Sequence, residues 1–301
     1  MHDHTPPPNG HLGTRYRGRL RWALILTAVY TVIEMSAAFA AGSLALVSDA
    51  GHMVADTAAL GVAYAATTLA KRSDRSGRRT YGYYRLEVFA ALFSALLMLG
   101  VGLFVAISAW DRWGANAEVE VGLMFAVGLV GLFVNIVAII LLRGGAKESL
   151  NMKGAYHEVL ADALGSIAVM VGAVLIWLTD DVIWDTLLGL AIGGFVVVRA
   201  IGLARQVLSV LGQHAPSNVH PADVERDLAR VDGVQGVHDL HLWTLTSGMN
   251  VATAHLVSVN AEHHHQVLDA ASELLRTRYG IAHATLQIEP ADHTGCDQID
   301  W

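Results

Sequence analysis

The sequence predicts a multi-pass α-helical membrane protein with six transmembrane helices and a C-terminal cytosolic α+β domain of the ferredoxin-like type. Three observations lead to this prediction: a mean hydropathy of +0.43, a charged fraction of only 16%, and a change of pattern after about residue 205. Soluble domains usually carry about 25% charged residues. We therefore expect a disordered cytosolic tail containing His and Pro over 1–20, a transmembrane domain over 21–205 and a cytosolic domain with its own tail over 206–301.

Six segments are long and apolar enough for a membrane helix, which needs about twenty residues. They are 22–42, 44–70, 86–110, 119–142, 157–178 and 182–204. Basic residues gather in the links after the second and fourth segments, whereas the opposite links hold one arginine, Arg112, among several acids. The positive-inside rule then places both termini in the cytoplasm. The short loops favour a bacterial cell membrane over an organelle membrane.

The region after residue 205 has the pattern of a small soluble domain. An amphipathic helix is followed by two alternating segments rich in Val, Thr, Leu and His, then by a second helix and a last strand. The order α-β-β-α-β is typical of a ferredoxin-like domain. Such a domain can bind metal, regulate activity or dimerise, and the pattern alone does not choose among these roles.

Composition also argues against several classes of protein. The net charge of −7 argues against a nucleic-acid partner. The single cysteine, Cys296, excludes an internal disulfide framework and a cysteine-rich zinc module. No Ser/His/Asp or Cys/His grouping stands out inside the apolar segments, so we do not expect an enzyme, and we expect no organic cofactor.

Ionisable residues inside the second and fifth segments indicate a function there, because such groups are costly in a membrane. His52 and Asp56 lie one helical turn apart, and so do Glu158 and Asp162. Two such pairs supply four N/O ligands, the number that a tetrahedral divalent-metal site needs. Asp49 shares the stripe of Asp56, and we expect it to lie on the ion pathway or behind the ligands. For Glu34 and Asn135, interhelical hydrogen bonds are the simpler expectation.

The stretch AYHEVLADALGS also invites comparison with zinc peptidases, whose H-E-x-x-H motif places two histidines on one helix face. Here the second position is Ala161, and His157 points away from Asp162 by about 140° on a helical wheel. The peptidase interpretation therefore fails, and Glu158 is the expected partner of Asp162.

Three long motifs resemble the cation diffusion facilitator family: GSLALVSDAGHMVADTAALG, YGYYRLEVFAALFSALLM and NMKGAYHEVLADALGSIAV. The resemblance runs from about residue 20 to 298 and implies a homodimer of six-helix subunits with cytosolic ferredoxin-like domains. It also implies export of divalent cations, most often zinc, by proton antiport. The family pattern is HxxxD on both helices, and Glu158 stands where the second histidine is usual. This variant resembles the cobalt–zinc–cadmium resistance branch.

The expected activity is zinc efflux with cadmium and cobalt as further candidates, because three carboxylates and one imidazole form a harder ligand set than two of each. Protons compete with metal for the same ligands, so a proton gradient can drive export by alternating access. A glutamate in an apolar site has a raised pKa, which makes Glu158 the expected proton-exchanging ligand. The alternative is a metal-gated channel or membrane metal sensor, whose flux would not depend on a proton gradient.

Histidines in the cytosolic domain form a second set of candidates. The family often binds regulatory metal in this domain, and the candidates by position are His238, His255, His283, Glu289 and Cys296. We expect His241 on the opposite face of its strand from His238, since side chains alternate. Exposed or hydrogen-bonded histidines without metal are the competing interpretation.

Overall fold

The computed structural model describes residues 10–70, 80–113, 118–144, 150–246, 248–259 and 263–291. These residues form eight helices and three strands and belong to two compact units. The first unit comprises Met1–Gly61 and Leu92–Leu203, and the second comprises Val62–Ala91 and Ala204–Trp301.

Six long helices account for most of the chain. They are α1 (Gly10–Ala41), α2 (Leu44–Ala70), α3 (Arg85–Arg112), α4 (Val121–Leu142), α5 (Leu150–Thr179) and α6 (Ile183–Leu211). Among the described residues, five of them contain a stretch long and apolar enough to cross a membrane, and α2 is the exception. The prediction of a multi-pass helical protein is therefore confirmed, while the crossing by α2 stays a prediction.

The helices extend beyond the predicted limits of the transmembrane domain. α1 already begins at Gly10, so residues 10–20 are helical where the sequence predicts a tail, and residues 1–9 lie outside the described part of the chain. α6 continues to Leu211. α1 therefore begins before the apolar segment predicted for it, and α6 ends after its own. Each extra residue adds about 1.5 Å of helix. The domain bounds 1–20, 21–205 and 206–301 stay predictions.

The first unit is apolar on its outside as well as in its core. Its main core joins residues of α1, α2, α4 and α5: Tyr30, Ala38, Leu46, Met53, Met124, Val134 and Val169. Large apolar side chains are also exposed along the helices, among them Val32, Phe133, Trp177 and Val198. Soluble monomers rarely expose so much apolar surface, whereas lipid tails cover it in a membrane.

A carboxylate from the first turn of α6 caps the start of α2. Asp185 Oδ1 accepts hydrogen bonds from the Ser43 hydroxyl (2.6 Å) and the Ala45 N–H (3.1 Å). Its Oδ2 accepts a bond from the Leu44 N–H (2.7 Å). The free N–H groups and the positive end of the helix dipole both favour a carboxylate at this place.

An arginine from the end of α3 completes this arrangement. Arg112 Nη1 donates to the Gly42 carbonyl (2.6 Å) and lies 3.6 Å from Asp185 Oδ2. We call Ser43, Arg112 and Asp185 the cap cluster. It ties together the ends of α2, α3 and α6, and thereby fixes the point from which α2 runs toward His52.

The C-terminal part of the second unit has the predicted α-β-β-α-β order. Its elements are α7 (Pro221–Leu228), β1 (Val234–Thr246), β2 (Met249–Ser258), α8 (His264–Arg278) and β3 (His283–Pro290). β1 and β2 are antiparallel, and β3 joins β2 in parallel after the α8 crossover. The two helices bury Val224, Leu228, Val267 and Leu275 against the sheet. The prediction of a small α+β domain is confirmed.

Candidate metal centre

Four polar side chains from α2 and α5 meet inside the first unit. His52 and Asp56 come from one face of α2, and Glu158 and Asp162 come from one face of α5, because residues four apart lie one turn from each other. Each residue offers one ligand atom, and these atoms all lie within 4.8 Å of one another. We call the four residues the ligand cluster.

The distances within the ligand cluster suit a tetrahedral ion. His52 Nε2 lies 3.4 Å from Asp56 Oδ2 and 3.5 Å from Glu158 Oε1. It lies 3.8 Å from Asp162 Oδ1. In a tetrahedral zinc site with bonds of 2.0–2.2 Å, neighbouring ligand atoms are about 3.4 Å apart. The imidazole therefore already lies at nearly the distance from the three carboxylates that such an ion requires.

Several polar atoms of the ligand cluster are buried without a hydrogen-bond partner among the described residues. They are His52 Nδ1, Asp56 Oδ2 and Asp162 Oδ1. Buried polar atoms in folded proteins are nearly always paired. Unpaired carboxylate oxygens beside an imidazole form an electron-rich site, and a divalent cation is the ligand that this site fits.

An arginine from α6 also reaches the ligand cluster. Arg199 Nη2 donates to Glu158 Oε1 (2.6 Å) and Oε2 (2.8 Å), while Nη1 lies 2.8 Å from His52 Nε2. This role was not predicted from the sequence, because positively charged residues near the end of a span usually indicate only orientation. The signal that could have found it is a single arginine within the apolar run FVVVRAIGLA of α6.

The arginine changes the interpretation of Glu158. The expectation of a proton-exchanging glutamate rests on apolar surroundings without a charged partner. Instead, the Glu158 side chain is 35% exposed and forms a two-bond ion pair with Arg199. That premise was therefore wrong, because an element distant in sequence supplies the missing positive charge.

Asp49 lies next to the ligand cluster but is not part of it. Its side chain is buried, and it packs so closely against α5 that a Cβ added at Gly165 would lie 2.3 Å from Asp49 Oδ1. Gly165 is three residues after Asp162, so Asp49 contacts α5 one turn beyond the ligands. Only a glycine on α5 permits this approach, and the role of Asp49 on the ion pathway or behind the ligands stays a prediction.

The other intramembrane polar residues divide into two kinds. Asn135 donates to the Ser166 hydroxyl (3.4 Å), which is the expected bond between α4 and α5. Glu34 is fully buried, yet neither carboxylate oxygen has a hydrogen-bond partner among the described residues. The expected hydrogen bond from Glu34 to a neighbouring helix therefore stays a prediction. His157 is exposed, and its ring packs edge-on against Tyr156 at 5.9 Å, away from the ligand cluster.

A second cluster lies on the sheet of the second unit. Glu289 Oε2 lies 3.0 Å from His238 Nε2, and Glu289 Oε1 lies 2.8 Å from His255 Nδ1. The two imidazole rings are 5.0 Å apart and nearly perpendicular. We call His238, His255 and Glu289 the C-terminal cluster, because their ligand atoms also lie within 4.8 Å of one another.

Two predicted members are not found in the C-terminal cluster. His283 begins β3, six residues before Glu289, which is about 20 Å along an extended strand. Its ring packs against Tyr81 instead, with centroids 6.0 Å apart. The strand register explains the difference, since His283 pairs with Val251 and not with His255. Cys296 lies outside the described residues.

A β-bulge changes the face of His241. The register shifts between His238 and His241, so that His241 pairs with Thr253, and Asp239 within the shift has a φ of 52°. Asp239 Oδ1 lies 3.0 Å from His241 Nε2, and Oδ2 lies 3.7 Å from His255 Nε2. The prediction that His241 faces away from His238 was wrong, because one extra residue reverses the alternation.

Comparison with known proteins agrees with this architecture. Residues 20–211 match the family model described as the cation efflux transmembrane domain, and residues 216–291 match the one described as the cation efflux protein cytoplasmic domain. The first match alone covers more than half of the chain. It includes α1 from residue 20 onward and the whole of α2 to α6.

Curated relatives match over nearly the whole length. The chain is 39% identical to the cation efflux system protein CzcD of Alcaligenes sp. (strain CT14), over 99% of this chain and 91% of that protein. It is 33% identical to a cadmium, cobalt and zinc/H(+)-K(+) antiporter of Bacillus velezensis, over 95% of this chain and 92% of that protein. It is 33% identical to the zinc transporter ZitB of Escherichia coli (strain K12), over 90% of this chain and 87% of that protein. The chain therefore belongs to the cation efflux family, the cation diffusion facilitators.

Proposed function

We propose that the protein exports divalent metal cations, zinc first, and that the ligand cluster binds the transported ion. One observation carries the proposal: four ligand atoms from α2 and α5 lie within 4.8 Å of one another among partly unpaired polar atoms. Relatives named as a zinc transporter and as a cadmium, cobalt and zinc antiporter support the choice of ion. Cadmium and cobalt are the further candidate substrates.

Proton antiport follows from the chemistry of the ligands. A carboxylate or imidazole must be deprotonated to bind metal, so each bound ion displaces protons and a proton gradient can displace the ion. Alternating access of the ligand cluster to the two sides would then couple the two fluxes. A channel or sensor would bind metal with the same residues without this coupling.

The test is zinc uptake into proteoliposomes with and without an imposed pH gradient, comparing wild type with Asp162→Ala. The antiporter predicts uptake that needs the gradient and is lost in the variant. The matched control is Asp111→Ala, which removes an exposed carboxylate near the end of α3 and should transport normally. Gradient-independent uptake would favour the channel, and normal uptake by Asp162→Ala would contradict the proposed site.

We further propose that the C-terminal cluster binds a regulatory metal and that the protein is a homodimer with both termini in the cytoplasm. Two imidazoles and one carboxylate form a three-ligand zinc set. The oligomeric state can be measured by light scattering in detergent. Orientation can be measured by labelling Cys296, the only cysteine of the chain, from either side of sealed membranes. A monomer, or labelling from the outer side, would contradict these proposals.

A further inference from the structure

The bond between Arg199 and His52 has only one chemical interpretation. A guanidinium carries N–H donors and no lone pair to accept with, and it stays protonated in proteins. The 2.8 Å contact between Arg199 Nη1 and His52 Nε2 is therefore a bond that the arginine donates and the imidazole accepts. The Nε2 lone pair is used by this bond, and Nδ1 carries the ring proton.

That lone pair is the one a metal would need. Nε2, not Nδ1, is the imidazole atom that lies within 3.4–3.8 Å of the three carboxylates. Arg199 Nη2 in turn binds both oxygens of Glu158. A guanidinium at these atoms and a metal ion bonded to them would occupy the same space.

We propose that Arg199 is a tethered cation that competes with metal for His52 and Glu158 and is displaced when a metal binds. The inference rests on the proposed function, because it takes the ligand cluster to be the transport site. In this arrangement the protein never holds its carboxylates wholly without positive charge. Arg199 lowers the affinity for metal, since every binding event must first break its bonds, and it helps to release the ion by re-forming them.

The surroundings of Arg199 allow the displacement. Its side chain is 29% exposed, so protein atoms do not enclose it on every side. Its Cζ lies 6.0 Å from the ring centroid of Phe195, one turn earlier on α6. An aromatic face within about 6 Å attracts a cation, so Phe195 offers the displaced guanidinium a neighbouring surface.

The test is direct zinc binding by the full-length protein in detergent, measured by isothermal titration for wild type and Arg199→Met. Methionine keeps the length and apolar stem but removes the competing charge. We expect zinc to bind the variant about 10- to 100-fold more tightly, because displacing charge-assisted hydrogen bonds no longer opposes binding. Arg199→Lys keeps the charge without the two-nitrogen fork, so this variant should bind zinc with intermediate affinity. It provides the test if Arg199→Met does not fold.

A thermal readout tests the same idea without titration. Without zinc, Arg199→Met should unfold at a lower temperature than wild type, because it leaves the cluster carboxylates without a cation. Saturating zinc should then raise the unfolding temperature of the variant by more than it raises that of wild type. Arg205→Met is the matched control, since Arg205 lies exposed six residues later on α6, and it should change neither measurement.

Two controls separate the possible failures. Asp162→Ala should lower the zinc stoichiometry by one ion per chain; if it does not, the proposed transport site itself is wrong. If Asp162→Ala behaves as expected but Arg199→Met and Arg199→Lys bind zinc no more tightly than wild type, the tethered-cation inference is overturned while the transport site stands.

Discussion

The cap cluster and the ligand cluster both place carboxylates beside an arginine among apolar helices, but they differ in how fully the carboxylates are paired. Both oxygens of Asp185 accept hydrogen bonds, three in all, and its side chain is 1% exposed. In the ligand cluster, Asp56 Oδ2 and Asp162 Oδ1 have no hydrogen-bond partner among the described residues. Arg199 instead forms hydrogen bonds with His52 and Glu158.

The difference separates a structural carboxylate from a binding one. A buried carboxylate with all its bonds made stabilises the fold, and removing it leaves its donors unpaired. A group of carboxylates with bonds left open costs stability until a cation arrives. The two clusters should therefore respond in opposite ways to the removal of charge.

Removing charge from the ligand cluster should abolish transport without destabilising the protein. We expect Asp162→Asn to lower zinc transport by more than about 100-fold, since outer-sphere groups alone already affect metal sites by about 10- to 100-fold. Its unfolding temperature without metal should equal or exceed that of wild type, because one unpaired charge is gone. The measurements are proteoliposome flux and thermal unfolding. A lower unfolding temperature than that of wild type would mean that Asp162 stabilises the fold.

Removing charge from the cap cluster should do the reverse. We expect Asp185→Ala to lower the free energy of unfolding by about 3 kcal/mol, the scale for breaking a buried charge pair. Zinc affinity, measured by titration of the protein that remains folded, should stay within about 3-fold of wild type, a difference below about 0.7 kcal/mol. If Asp185→Ala kept the unfolding temperature of wild type but lost zinc binding, the cap cluster would be a binding site and not a structural one.

The C-terminal cluster tests whether two histidines beside a buried carboxylate predict a metal site outside the membrane helices. We expect His255→Ala to remove one zinc ion per chain in equilibrium dialysis of the full-length protein, while gradient-driven uptake persists at a reduced rate. His265→Ala is the matched control, because His265 is exposed and contacts only Asp269, at 3.5 Å, among the contacts of its side chain that the structure describes. Unchanged stoichiometry in His255→Ala would mean that these histidines bind no metal.

A buried carboxylate of the C-terminal domain, paired with a tyrosine and an arginine, offers the smallest effect. Asp227 is buried and accepts a hydrogen bond from the Tyr279 hydroxyl, with Arg278 Nη1 2.9 Å away. The Tyr279 bond and the Arg278 charge lower the pKa of Asp227.

Its stabilising effect is therefore present above the unfolded pKa of about 4 and lost as the pH falls through the lower folded value. Hydrogen exchange of α7 and α8 in the full-length protein should be faster in Asp227→Asn than in wild type at pH 7. The difference should shrink as the pH falls below about 4. A constant difference across this range would mean that the charge of Asp227 does not stabilise the domain.

The sequence was informative where function depends on spacing within one helix. The i, i+4 pairs and the rejection of His157 needed only helical geometry, and the structure brings the four expected side chains together. The α-β-β-α-β order was equally accessible, because it depends on alternation and turn residues.

What the sequence did not reveal depends on contacts between distant elements. Arg199 reaches Glu158 across 41 residues, and the cap cluster joins Ser43 to Asp185 across 142. The bulge at Asp239 moved His241 to another face, and the register of β3 kept His283 from the cluster. No local periodicity encodes these arrangements.

The central claim is that His52, Asp56, Glu158 and Asp162 bind the transported ion, and zinc K-edge X-ray absorption tests it most directly. The sample is the full-length His255→Ala variant with one zinc per chain, which leaves the ligand cluster as the metal site. We expect about four N/O ligands at about 2.0–2.1 Å with one imidazole, and loss of this spectrum in the His255→Ala/Asp162→Ala double variant. An unchanged spectrum in the double variant, or a six-oxygen shell without imidazole, would contradict the account.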